Sequence, residues 1–295
     1  MSEPCRRFAA LFASLFGVVA GCGVDMQPPD SKSDPGTQTV RLVSLSPHLT
    51  EIAYAAGAGD NLVGAVDYSD YPAQAQQLPR IGDAFQLDLE RLATLNPDHV
   101  LAWDTGNPIA MIEHLKRLGY DVAVIATETP ADVEAALLRI GKLSGTDDIA
   151  RDAAAEFRQA ISKLELEYQN ATPVDVFYQI SWRPLYTIGG SHYIDHLLQL
   201  CGGRNVFSTL EAPAAAVGFE AVLQADPEVI LVGDDIPGDP FARWREWPEM
   251  RAVAAGNLYK VRANLISRAT PRSADGARDI CNALDKTRAK VRSGN

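Results

Sequence analysis

The sequence predicts an α/β fold of two lobes joined by one long helix, and three features carry that reading. Short β-rich runs alternate with polar or helical stretches, the alternation restarts after residue 173, and the two series repeat each other. The first series is "VRLVSL", "LVGAV", "HVLAW" and "DVAVIA"; the second is "VDVFYQI", "EVILVG" and "NLYKV". Strands interleaved with helices specify parallel sheets, because a parallel neighbour is reached only through a crossover. Each lobe is therefore Rossmann-like.

The elements follow in chain order. Arg6 and Arg7 precede the apolar run "FAALFASLFGVVAG", which is too short to span a bilayer with ease and ends in small residues before Cys22. This reads as a lipoprotein signal peptide over 1–21, with Cys22 lipidated and carrying the acyl chains that stable anchoring needs. The alternative is an ordinary secretory signal with an incidental cysteine. The polar stretch that follows, with its prolines and glycines, predicts a flexible tether over 22–39. An N-terminal α/β lobe over 40–145, a connecting helix over 146–172 and a C-terminal α/β lobe over 173–295 complete the division.

In the connecting segment Thr146 is the expected N-cap, with Asp147 and Asp148 in the first turn, where the helix dipole favours them. Ile149, Ala153, Phe157, Ile161 and Leu164 form one apolar stripe, and Pro173 ends the region. Such a helix, of about 24 residues, reaches roughly 36 Å. It is a stiff connection that permits only a small hinge.

The repeat pairs "LERLATLNPDHVLAW" at 89–103 with "FEAVLQADPEVILVG" at 219–233. Each has a glutamate, a short helix, a proline seven residues after the glutamate, and a buried strand. Glu90 and Glu220 are thus equivalents, one per lobe. "TEIAYAAGAGDNLVG" and "IDHLLQLCGGRNVF" pair in the same way, each a helix with a glycine stop.

Composition narrows the function. The chain is 46% hydrophobic and 22% charged, an ordinary globular balance, and its net charge of −11 argues against nucleic acid as a partner. Cys5 falls in the leader and Cys22 directly after it, leaving Cys201 and Cys281 for the folded part. In an oxidising compartment these suggest one disulfide, with two separate buried thiols as the alternative. No GxSxG elbow, Walker-type phosphate loop or CxxC pair occurs. His192 and His196 are four apart, but no glutamate follows His192, and no metal site is assigned. The loop "AVDYSDYPAQAQQLPRIGDAF" at 65–85 concentrates Tyr68, Tyr71 and Phe85 in an irregular segment. It is either a badly packed edge or a surface meant to touch something.

In order along about residues 40–290, "RLVSLSPHLTEIAYAAG", "YSDYP", "LERLATLNPDHVLAW", "LLQLCGGRNVF" and "SRATPR…DICNAL" resemble the cobalamin-binding members of the cobalamin, haem and ferric-siderophore substrate-binding proteins. The resemblance implies two lobes on one backbone helix, with a ligand cleft between them, where physical reasoning also places a pocket. It implies a monomeric extracytoplasmic protein that captures cobalamin or a related corrinoid and delivers it to the permease dimer of an ABC importer. Such a protein performs no chemistry and needs no cofactor, and touches the membrane only through its lipid anchor. It also implies a disulfide between Cys201 and Cys281.

A corrinoid is a broad ring fringed with amides and carrying a nucleotide tail, so it calls for aromatic surfaces and a few donors. By resemblance Tyr68 and Trp103 are ligand contacts, and Arg268 donates to phosphate or amide oxygens. By the same resemblance the "SPHLTE" loop faces the cleft, where His48 touches ligand, coordinates a metal centre or, as the favoured reading, caps or lines the loop. A family tryptophan aligns with Ala84, for which the adjacent Phe85 substitutes. A family phenylalanine becomes Ile180, with Trp182 two residues on. Another family tryptophan becomes Ala214, an aspartate becomes Asn264, and a glutamate becomes Ser267. The pocket is therefore rebuilt, which keeps open a haem or ferric-siderophore ligand, although siderophore pockets often use several basic residues and this cleft offers mainly Arg268, with Arg183 and Arg272 as further candidates. An exported hydrolase using His48 is the reading from another class. Glu90 and Glu220 are implied to dock arginines of the two membrane subunits, as a pseudo-twofold protein on a twofold dimer requires.

Overall fold

The computed structural model describes residues 39–293. The predicted leader 1–21, Cys22 and all but the last residue of the predicted tether lie outside the described residues. In the first lobe β1 (Leu42–Ser44), α1 (Pro47–Ala55), β2 (Leu62–Ala65), α2 (Leu89–Leu95), β3 (His99–Trp103), α3 (Ile109–Arg117), β4 (Val122–Ile125) and α4 (Pro130–Ser144) follow one another. Their sheet is parallel throughout, in the order β2-β1-β3-β4. Successive strand residues serve opposite faces. Leu42 and Leu101 pack with Leu49, Ile52 and Leu137, whereas Val43, Val100 and Ala102 pack with Ile112 and Leu115. Burial on both faces explains why these strands read as continuous apolar runs.

Helix α4 stops at Gly145, which adopts a left-handed φ of 75°. α5 (Asp147–Tyr168) then runs for 22 residues, about 33 Å. Thr146 stands at its N-cap, but the hydroxyl does not cap the helix; it donates to the Ala56 carbonyl at 2.7 Å, tying the start of α5 to the end of α1. The buried stripe is Ala150, Ala154, Phe157, Ile161, Leu164 and Tyr168. Its first members are therefore shifted by one residue from the expected Ile149 and Ala153; Ile149 is 54% exposed and lies over Gly57. Ala150 and Ala154 belong to a core of the first lobe, and Phe157, Ile161, Leu164 and Tyr168 to a core of the second. One helix is thus built into two cores, which makes it a rigid joint.

The second lobe contains β5 (Val174–Trp182), β6 (Leu185–Ile188), α6 (Tyr193–Leu200), β7 (Gly203–Asn205), β8 (Ala214–Ala216), α7 (Phe219–Ala225), β9 (Val229–Gly233), α8 (Arg251–Ala254), β10 (Leu258–Val261), α9 (Ala263–Ile266) and α10 (Ser273–Ser293). Its parallel set β7-β5-β9-β10 repeats the order of the first lobe. β7 covers only Val174–Val176 of β5; the distal half pairs antiparallel with β6, and β6 with β8. α2 and α7 end identically, on Asn96 and Asp226 at φ 41° and ψ 63°. Asn and Asp tolerate this left-handed cap, and proline follows each. Cys201, at the end of α6, is disulfide-bonded to Cys281 in α10. Among the described residues no helix is long and apolar enough to cross a membrane.

Candidate ligand-binding cleft

The C-terminal ends of β1, β3 and β4 in the first lobe face the second lobe, at the rim where open α/β sheets bind ligands. His48, Trp103 and Thr127 from one side and His192, Pro213 and Ile266 from the other line a hollow of about 130 Å³. A second, open hollow of about 380 Å³ adjoins it through Ser267 and is walled by Tyr71, Asp70, Asp235, Asn264 and Arg268.

His48 is buried, with a ring nitrogen 3.1 Å from the Ser46 hydroxyl and the other 3.2 Å from the Thr127 hydroxyl. Burial, reinforced by the charge of Arg268, lowers its pKa to about 3, so the imidazole is neutral. Its ring meets Trp103 edge-on, with centroids 4.8 Å apart. His48 is a packed polar support for Trp103.

The aromatic loop is held from within. Arg80 donates to the carbonyls of Val66, Ser69 and Ala75, and the Thr50 hydroxyl donates to Ser69 at 3.1 Å. With its backbone so fixed, Tyr68 takes a φ of 63°, unusual for a bulky side chain, and is 80% exposed. Phe85 is 69% exposed, on a turn in which the Asp83 carboxylate accepts from the Phe85 and Gln86 amides. Neither ring is packed into a core, and neither lines either hollow.

Across the cleft the cations are already paired. Arg268 donates to Asp70 at 2.6 Å and to the Tyr68 carbonyl at 3.1 Å. Arg272 holds Glu51 through two bonds of 2.7 Å each and lies 3.6 Å over the Tyr71 ring. The hydrogen bond from Arg268 lowers the pKa of Asp70. Sequence reasoning missed Glu51, Asp70 and Thr127. The signal available for Thr127 was its place just beyond a parallel strand; the charge pairs had none, since about 200 residues separate their members.

Other expected residues stand apart. Trp182 does not line either hollow; its indole donates to the Pro240 carbonyl at 2.9 Å and packs against Trp244 and Phe219. Arg183 is exposed in the turn between β5 and β6. His192 caps α6, its Nδ1 accepting from the Ile194 amide at 3.1 Å. Among the described residues no group of His, Cys, Asp and Glu is arranged to hold a metal ion. Glu90 and Glu220 are exposed at matching positions of α2 and α7, and neither forms an ion pair among the described residues.

Two parallel-sheet lobes on one shared helix, closing on a cleft, define a solute-binding protein, and the chain belongs to the periplasmic binding protein family, whose pattern matches residues 42–265. That family binds solutes, is not enzymatic and implies a periplasmic location. The chain is 35% identical over 245 residues to the vitamin B12-binding protein of Vibrio cholerae, covering 83% of this chain and 88% of that protein. It is also 35% identical over 249 residues to the vitamin B12-binding protein of Photorhabdus laumondii, with the same coverage of 83% and 88%. The crystal structure of the periplasmic vitamin B12-binding protein of Vibrio cholerae superposes with a TM-score of 0.80 at 34% identity, over 85% of this chain and 98% of that one. The periplasmic haem-binding protein of the same organism shares the fold, with a TM-score of 0.71 at 24% identity over 83% and 98%.

Proposed function

We propose that this protein is a lipid-anchored carrier that captures cobalamin or a related corrinoid and hands it to the permease dimer of an ABC importer. The observation that carries the reading is the make-up of the two hollows: the rings of Trp103 and Tyr71 from one lobe beside cations already neutralised by carboxylates. A broad, amide-fringed guest of low net charge suits that lining. A polyanionic ferric chelate would need several free cations, and Arg268 and Arg272 are committed to Asp70 and Glu51. Haem ligation through His48 has less support, because both ring nitrogens lie within hydrogen-bonding distance of hydroxyls. The similarity to proteins named for vitamin B12 binding supports the same ligand.

In this reading Trp103, Tyr68 and Phe85 contact the corrin, and Arg268 and Asn264 supply polar contacts. Glu90 and Glu220 dock the two membrane subunits, the signal over 1–21 is removed, and Cys22 is acylated. Titration with cyanocobalamin, hemin and a ferric siderophore in a calorimeter tests it. One-to-one binding of cyanocobalamin, tighter than either competitor, is expected; absence of binding, with either competitor held tightly, overturns the corrinoid assignment.

A further inference from the structure

We propose that Asn107 is a positioning residue for the ligand. It sets the orientation of the aromatic wall without itself touching the guest; this rests on the reading that Trp103 and Phe85 contact the ligand. Asn107 is only 4% exposed. Its Oδ1 accepts from the Trp103 amide at 2.6 Å, and its own amide donates to the Trp103 carbonyl at 3.1 Å. Its Nδ2 donates to the carbonyls of Leu45 at 3.1 Å and Ala84 at 2.9 Å. One side chain thereby ties together the end of β3, the segment leading into His48, and the turn that bears Phe85. Those three segments carry three of the proposed contact or support residues, and they are far apart in sequence.

Only an amide of this length has both the acceptor and the two donors that the three partners require. Aspartate keeps the acceptor for Trp103 but loses both donations. The neighbouring Gly106 completes the seat: a Cβ there would lie 1.8 Å from Cε3 of the Trp103 ring, so the ring folds back over bare backbone. His48 meets the ring edge-on. Backbone and ring of Trp103 are thus preset before any ligand arrives, which is how a supporting shell lowers the cost of binding.

The test uses the whole protein with cyanocobalamin as probe and variants N107D, N107S, G106A, W103A and F85A. Fluorine NMR of 5-fluorotryptophan-labelled protein reports on Trp103, its resonance identified with W103F. N107D is expected to weaken binding roughly tenfold or more, as loss of a supporting contact does elsewhere. It should also move the Trp103 resonance while leaving those of Trp182, Trp244 and Trp247 in place. G106A should move the Trp103 resonance with every Asn107 bond intact, which tests the seat of the ring alone; N107S, which loses both Nδ2 donations without adding a charge, decides the matter if N107D fails to fold. In the F85A/W103A background N107D should add less than about twofold, since coupled sites do not add. Wild-type affinity and an unmoved Trp103 resonance in N107D or N107S, while W103A weakens binding, would overturn the proposal. Should W103A leave the affinity unchanged, the ligand reading fails instead, and the resonance alone then decides the positioning role.

Discussion

Arg268 and Asp70 join the two lobes across the cleft, Nη1 to Oδ1 at 2.6 Å, and the same guanidinium reaches the Tyr68 carbonyl. The best cation for a ligand oxygen is therefore held by the loop that carries the exposed aromatics. R268A should weaken cyanocobalamin about tenfold, the value of one charge-assisted hydrogen bond, with the fold intact. D70N should not weaken binding, because it releases the arginine. Calorimetry of both variants checks this, and an unchanged R268A Kd would remove Arg268 from the site. The pair also has a pH signature. Its carboxylate pKa is lowered, so its contribution is complete above the usual aspartate range and is lost as pH falls through the lowered value.

Glu51 and Arg272 form the deeper interlobe contact, with the Glu51 side chain 2% exposed and that of Arg272 20% exposed. Removing the arginine strands a buried carboxylate, a loss of roughly 3 kcal/mol. R272A should therefore melt roughly 6–10 °C below the wild type, and R272K, which lacks the planar fork, should fall between them. Scanning calorimetry decides it; equal melting temperatures would mean the pair contributes nothing.

His48 makes stability depend on pH. Its pKa drops from 6.5 to about 3 through burial first and the Arg268 charge second. The unfolded imidazole takes up a proton that the folded one refuses. Stability from this group is complete above about pH 6.5 and declines as pH falls toward about 3. Between pH 7.5 and 5 the wild type should lose about 2 kcal/mol more than H48N. Urea denaturation at the two pH values measures the difference, and parallel losses would refute it.

The disulfide between Cys201 and Cys281 closes a loop across 80 residues. On the chain-entropy account the paired serine variant should lose about 4 kcal/mol. Both sulfurs are buried, so reductant should act on the native protein slowly. A urea midpoint unchanged in the double variant would contradict this.

Glu90 and Glu220 should matter to delivery and not to capture. E90A/E220A should keep the wild-type Kd for cyanocobalamin while weakening stimulation of the importer's ATPase roughly tenfold, since exposed charges chiefly steer and orient. Reconstituted importer in proteoliposomes reads the effect. Full stimulation by the double variant would mean docking elsewhere.

What local sequence could signal, it signalled. The seven longer parallel runs, the paired helices before Pro97 and Pro227 and the equivalence of Glu90 with Glu220 all rest on periodicity or on a proline and its left-handed neighbour, information held within about 15 residues. β6, β7 and β8 were not legible, being only three or four residues each and defined by pairing with β5 or, for β8, with β6. The stripe on α5 misled for a related reason. Ile149 and Ala150 are both apolar, and the helix that starts at the bond from Thr146 to Ala56 has Ala150 on its inner face.

By itself, then, the sequence determined the doubled parallel-sheet lobes, the stiff helix between them and an aromatic loop that does not belong in a core. These follow from residue spacing, backbone preference and side-chain chemistry acting over short stretches. Only the tertiary structure decided which rings the cleft receives, that Trp182 joins the aromatic packing of the second lobe, that Arg268 and Arg272 find carboxylates in the opposite lobe, and that Asn107 binds three distant segments. Those outcomes depend on groups far apart in the chain being driven together by burial, where each polar group must find a partner or lose its hydration unreplaced.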